Sequence, residues 1–238
     1  ADDFEFIERT NTGANTIDLT SVAFTIGITF SFPTGNTLAP GERIIVTSNR
    51  GAFEARYGAG TATIAGTYTG NLRNSGEQVR LEAADTTPIA DFTYGDDSPW
   101  PTSADGPGYS LVFSGSTPTD PLDWRSSTML GGNPGSSDTQ SFDGTTSDLI
   151  PYALAGQQQV EIDGDDFVLS FLQNLAADDA EILVEYSNDL ISWTTASADD
   201  LVSRVNQGDG TARLSFQSPI SADASGRQFA RVRVQLRE

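Results

Sequence analysis

The chain has no cysteine, no histidine and, along its whole length, no lysine. Each absence removes a class of chemistry. Without cysteine there is no disulfide, no iron–sulfur cluster and no thiolate nucleophile, and without cysteine or histidine there is no zinc site of the usual ligands. A Ser–His or Cys–His nucleophile, a Ser–Lys pair and a Schiff-base lysine are excluded on the same ground. The missing lysine also rules out Lys–Asn isopeptide cross-links. Apolar runs are short, and none reaches the ~18 residues that a membrane-spanning helix needs. Cysteine absence does not assign a compartment, because cytosolic and exported proteins can each lack it.

Positive charge is scarce too. Against 33 Asp and Glu stand 13 cations, every one an arginine, for a formal charge of −20. Such a field repels phosphate backbones and anionic membrane faces, so no nucleic-acid partner and no docking onto an anionic membrane is expected, and the short apolar runs give no expected membrane span. A solvated acidic surface is the plain reading of the excess, and attraction of cations is its alternative. The opening Ala1-Asp2-Asp3 is not a signal sequence, which suggests a mature exported protein or a piece of a longer one.

What the chain does have is alternation. Apolar and polar residues take turns in Ile28-Thr29-Phe30-Ser31-Phe32, Gln78-Val79-Arg80-Leu81-Glu82 and Tyr109-Ser110-Leu111-Val112-Phe113, the pattern of half-buried strands. Turn signals such as Pro33-Thr34-Gly35-Asn36, Asn74-Ser75-Gly76 and Asp105-Gly106-Pro107-Gly108 separate them, which points to a sandwich or barrel. Helix is expected only over 51–57 and 148–154, the second with Asp148 as its N-cap. Residues 131–146 have the Gly, Ser, Thr, Asp and Asn content of a linker. Alternation then resumes over 160–162, 167–172, 181–187, 212–217 and 229–236. No sequence period is shared between the halves. The expected organisation is a β-sandwich over 1–136, a linker over 137–147 and a smaller β domain over 148–238.

The order of short motifs in the first half is similar to that of bacterial-type lamin-tail domains, from about Asp3 to Gly135. Glu5-Phe6-Ile7-Glu8 opens it, followed by Asn11-Thr12-Gly13, Ile17-Asp18-Leu19-Thr20 and Leu38-Ala39-Pro40-Gly41-Glu42 before Ile44-Ile45-Val46. Gly70-Asn71-Leu72, Asn74-Ser75-Gly76-Glu77, Pro99-Trp100-Pro101, Asp123-Trp124 and Gly132-Asn133-Pro134-Gly135 complete it. Val22-Ala23-Phe24 departs from the Gly-Trp pair frequent at that place, which alters a packing residue. The resemblance implies an immunoglobulin-like sandwich that is not itself catalytic and serves attachment, assembly or protein–protein interaction on large exported or cell-surface bacterial proteins. No heptad stretch accompanies it, so a filament role has no support. The second half resembles C-terminal β domains of exported verrucomicrobial and planctomycete proteins, through Asp148-Leu149-Ile150-Pro151-Tyr152-Ala153-Leu154 and Val184-Glu185-Tyr186-Ser187-Asn188-Asp189-Leu190-Ile191-Ser192-Trp193. The expected setting is secreted or cell-surface, with a protein or matrix component as partner.

Oxygen ligands are the one metal chemistry left. In the loop 95–106, Asp96, Asp97 and Asp105 lie near Trp100 and are the candidate calcium ligands, with plain turn chemistry favoured for the same residues. Otherwise no cofactor is expected. Asp163-Gly164-Asp165-Asp166 opens like an EF-hand loop but lacks the glycine at its sixth position and the glutamate at its twelfth, so it reads as a hairpin turn. Asp178-Asp179 and Asp199-Asp200 read as solvated loop charge. Trp100, Trp124 and Trp193 are expected in packing roles, with carbohydrate stacking as the alternative. A pair of carboxylates is the only catalytic apparatus the composition permits, which keeps a glycoside hydrolase as a remote alternative. The last strand sets Arg231, Arg233, Gln235 and Arg237 on one face, where cross-strand acids such as Glu181 and Glu185 are the expected partners.

Overall fold

The computed structural model describes residues 2–163, 166–222 and 226–237. The chain is all-β and divides into two compact units, Ala1–Gly95 with Asn133–Ser137, and Asp96–Gly132 with Asp138–Glu238.

Ten strands build the first unit: β1 (Phe6–Thr10), β2 (Ile17–Asp18), β3 (Ala23–Ile26), β4 (Ile28–Ser31), β5 (Thr37–Leu38), β6 (Arg43–Thr47), β7 (Ile64–Thr67), β8 (Thr69–Gly70), β9 (Glu77–Glu82) and β10 (Pro88–Tyr94). They form sheets ordered β1-β6-β7 and β10-β9-β3-β4-β8, with β2 and β5 as a separate pair. Alternation decides what lies between the sheets. Ile7, Ile44 and Val46 from one side meet Phe24, Ile28, Val79 and Leu81 from the other, and Leu38 and Tyr68 join them. This is the immunoglobulin-like sandwich expected from the sequence.

Strand β6 breaks the alternation because both of its faces are covered. Ile45 and Thr47 point away from the core yet are as buried as Ile44 and Val46. The helix α1 (Arg50–Tyr57) accounts for this: its Phe53 is fully buried and packs edge-on against Phe6 at 5.6 Å, and Phe6 is the register partner of Thr47. The same helix links β6 to β7, the parallel pair of this sheet. Asn49 starts it by accepting the Ala52 N–H at 3.1 Å.

The second unit contains β11 (Leu111–Phe113), β12 (Trp124–Ser126), the short helix α2 (Leu149–Ala153), β13 (Gln159–Asp163), β14 (Asp166–Asn174), β15 (Ala180–Ser187), β16 (Thr194–Thr195), β17 (Leu201–Asn206), β18 (Thr211–Gln217) and β19 (Phe229–Leu236). A four-stranded sheet β13-β14-β18-β17 and a three-stranded sheet β16-β15-β19 enclose Leu169, Phe171, Val184, Tyr186, Leu214 and Phe216. Tyr186 is wholly buried, and its hydroxyl donates to the Phe216 carbonyl at 2.5 Å, so its polar tip is satisfied inside an apolar core.

The packing differs from the sequence-based bounds in the segment Asp96–Gly132, which belongs to the second unit. Polar contacts carry it there. Arg204 of β17, 7 % exposed, donates to the carbonyls of Trp124 at 2.7 Å and Pro121 at 3.3 Å, and the Ser98 hydroxyl donates to the Leu201 carbonyl. Asn133–Ser137 returns to the first unit, where the Gly135 N–H donates to Glu8 at 2.6 Å. Asp148 stands at the N-cap position of α2 as expected, but its side chain makes no cap bond there; its carboxylate accepts from the Thr145 N–H at 2.9 Å and closes the capping box of the helical turn Thr146–Asp148 just before it.

Candidate functional site

The acidic loop is built as a turn. The Trp100 N–H donates to the Asp97 carbonyl and the Asp105 N–H to the Thr102 carbonyl, and Pro101 between them is buried. Asp97 is exposed while Asp96 and Asp105 are half-buried. The three carboxylates are not gathered into one site: among the described residues no group of three or more acidic, His or Cys side chains could hold a metal ion. Trp100 lies with its ring 5.8 Å from that of Trp124, which is itself 8 % exposed and donates its indole N–H to the Pro118 carbonyl.

Of the Asp163–Asp166 turn, Gly164 and Asp165 lie outside the described residues, but the flanking strands pair in register from Gln159↔Ser170 to Asp163↔Asp166. Asp178, Asp179 and Asp200 correct the expectation of solvated charge, whereas Asp199 is exposed as expected. Asp200 accepts from the Ser197 N–H and hydroxyl as a capping box. Asp179 accepts from the Phe142 N–H at 2.7 Å and the Tyr152 hydroxyl at 2.5 Å.

Asp178 belongs to the most buried ionic group of the unit. Arg125, 2 % exposed in β12, donates from Nε and Nη2 to the two oxygens of Asp178 at 2.5 and 2.7 Å. It donates from Nη2 and Nη1 to Asp138 at 2.7 and 3.2 Å, and Asp138 also accepts the Thr128 N–H. Burial alone would lower the Arg125 guanidinium, but the hydrogen bonds of Asp178 and Asp138 outweigh it and hold the cation above its usual range. Burial likewise acts to raise Asp138, yet its bonds to Arg125 and Thr128 bring it below the ordinary carboxylate value. For Asp178 burial wins and the group is raised. A raised carboxyl is what a general acid requires, but both oxygens of this one are engaged by a buried guanidinium. The arrangement fastens β12, residue 138 and the link before β15 to one another. Nothing local in the sequence signalled it, since its three members are spread over more than fifty positions.

The outer face of the three-stranded sheet holds the other charge cluster. Glu185 of β15, 6 % exposed, accepts from Arg231 Nε at 2.7 Å and lies 3.6 Å from Arg233 Nε. Gln235 donates to Glu181 at 2.5 Å, while Arg237 turns to Asp123 at 3.4 Å. The cross-strand pairing expected of this strand is therefore present, with Glu185 taking two of the arginines. Trp193 adds what the sequence did not suggest: the Arg231 guanidinium lies 3.9 Å above its ring, a cation–π contact on a half-buried indole. One face of Trp193 is thus occupied by this chain's own cation. An open groove of about 300 Å³ elsewhere in the unit carries Asp120 and Asp199, but Asp120 is committed as a cap, accepting the Leu122 N–H at 2.9 Å.

Among protein families, the lamin tail domain matches residues 1–96, nearly the main segment of the first compact unit. The first unit is thus similar to lamin tail domains and shares their immunoglobulin-like β architecture. The resemblance traced along the sequence to Gly135 runs beyond the matched residues. No curated protein and no solved structure matches the chain. Among the described residues no helix is long and apolar enough to cross a membrane.

Proposed function

We propose that the chain is a non-catalytic β module of an exported or cell-surface bacterial protein, used for attachment or assembly through protein–protein contact. The observation that carries this reading is the lamin-tail match over residues 1–96, a β-sandwich family that serves interaction. The state of the acidic side chains agrees with it. The raised carboxyl, Asp178, is bound through both oxygens to Arg125, and the arginines of β19 are engaged with Glu185 and Trp193. The reading requires no cofactor. A labelled chain added to intact cells of its source should bind saturably, and protease treatment of the cells should abolish the binding. Binding that survives protease but is lost to glycosidases would replace the protein partner with carbohydrate. Turnover of aryl glycosides would overturn the non-catalytic reading, and a melting midpoint raised by millimolar calcium would make the module a calcium binder.

A further inference from the structure

Among the described residues the sheet β16-β15-β19 ends at β19, with no strand paired to its far edge. The register shows which backbone groups that edge presents. The Arg237 N–H donates to the Asp179 carbonyl, one step beyond the pair Leu236↔Ala180. Bonded and non-bonded pairs alternate along an antiparallel ladder, so Gln235, Arg233 and Arg231 bond to β15. Ala230, Val232, Val234 and Leu236 therefore turn their N–H and C=O groups outward. The far side of β15 agrees: Val184, the partner of Val232, gives its carbonyl to the Ala196 N–H on the β16 side.

The sandwich is also one strand short on this side. A short link, 196–200, joins β16 to β17, which puts those two on one side and leaves β13 and β19 on the other. Helix α2, which precedes β13, packs on β19 and supports the same placement. Val160 and Ile162 of β13 pair with Leu169 and Phe167, and Leu169 lies in the core, so both side chains face the second sheet. They are nevertheless 51 and 74 % exposed, and among the described residues the second sheet has no strand beyond β19 to stand opposite them. Between β19 and α2 runs a groove of about 350 Å³, lined by Thr146, Leu149, Ile150 and residues 231–234.

We propose that β19 is a docking edge for an extended segment of a partner polypeptide, added as a fourth strand with aliphatic residues on its inner face and acidic residues on its outer face. The proposal rests on the reading of the chain as an interaction module and names the surface and the partner's chemistry. The inner face would cover Val160 and Ile162. The outer face would meet Arg231 and Arg233, whose side chains are 45 and 52 % exposed and share the carboxylate of Glu185, while the other acid of that face, Glu181, lies one strand further in and is bonded to Gln235. A second copy of this chain is a poor occupant. Antiparallel self-pairing centred on Arg233 sets that residue opposite itself, and centring on Val232 or Val234 sets Arg231 opposite Arg233 or Arg237; like charges directly opposite repel.

The probe is a fluorescein-labelled nonapeptide of alternating valine and glutamate, titrated against the full chain and read by anisotropy. Saturable binding is expected, with none for a valine–lysine peptide or for a valine–glutamate peptide N-methylated at alternate amides. Arg233→Glu should weaken binding about tenfold, and Arg231→Glu with Arg233→Glu should transfer it to the valine–lysine peptide. Arg233→Glu alone touches only the longer contact to Glu185, so it stays informative if the double variant does not fold. No saturable binding, or binding unchanged by Arg233→Glu in a folded chain, would overturn the proposal. So would a concentration-dependent dimer in sedimentation that the peptide displaces, which would give the edge to a second copy. None of these failures touches the non-catalytic reading, which falls only to substrate turnover.

Discussion

Arg125 shows how much one side chain can decide. It forms bidentate bonds with two carboxylates while nearly excluded from water, so its removal leaves Asp138 and Asp178 close together and uncompensated. Arg125→Ala is expected to lower stability by about 3–5 kcal/mol, measured by urea unfolding of the full chain. The two acids should respond to pH with opposite sign. Folding favours ionised Asp138, so its contribution is complete above the unfolded carboxylate value of about 3.9 and is lost as pH falls through the lower folded value. Folding favours protonated Asp178, so the contribution of that group is present at low pH and is lost as pH rises through its raised value. Asp138→Asn should therefore flatten the acid limb of the stability curve, and Asp178→Asn should steepen it, in urea melts taken from about pH 3 to 6.

At the scale of elements, local pattern and tertiary cover make different demands. The period of two located β9, β18 and β19 almost to the residue, because each has one face in a core and a more open opposite face. It located β14 and β15 as well, where polar Ser170, Glu185 and Ser187 keep the alternation although they are buried too. It served less well for β6, whose run Ile44-Ile45-Val46 reflects burial on both faces under α1. Turns were legible where glycine is required by the backbone. Gly76 precedes β9 with φ at +86°, and a Cβ there would stand 2.3 Å from the Tyr94 carbonyl. Gly76→Ala should destabilise the first unit by ~1 kcal/mol or more, seen as a lowered melting midpoint, since the backbone must shift to admit a single methyl.

On the scale of the whole chain, two separate cores imply two unfolding steps. Phe24 is buried in one core and Phe171 in the other. Calorimetry should resolve two transitions, with Phe24→Ala lowering one midpoint and Phe171→Ala the other, each by about 3–5 kcal/mol of stability. A single transition shifted equally by both substitutions would refute independent cores. The charge of −20 acts at this scale as well, setting solubility and repelling polyanions, while the arginine face of β19 is a local exception that net charge conceals.

The sequence by itself determined the fold class, the absence of thiol, imidazole and amine chemistry, the positions of most strands and the likeness of the first unit to lamin tail domains. These follow from composition, from a periodicity that any half-buried strand must show, and from the order of short turn motifs. Tertiary structure alone decided that residues 96–132 pack with the second unit, that Asp138 and Asp178 share Arg125, that Trp193 lies under Arg231, and that β19 ends its sheet beside uncovered Val160 and Ile162. Each of these depends on contacts between residues far apart in the chain. Alternation shows that a residue is half-buried, but which distant carboxylate or ring covers it is set only when the sheets close.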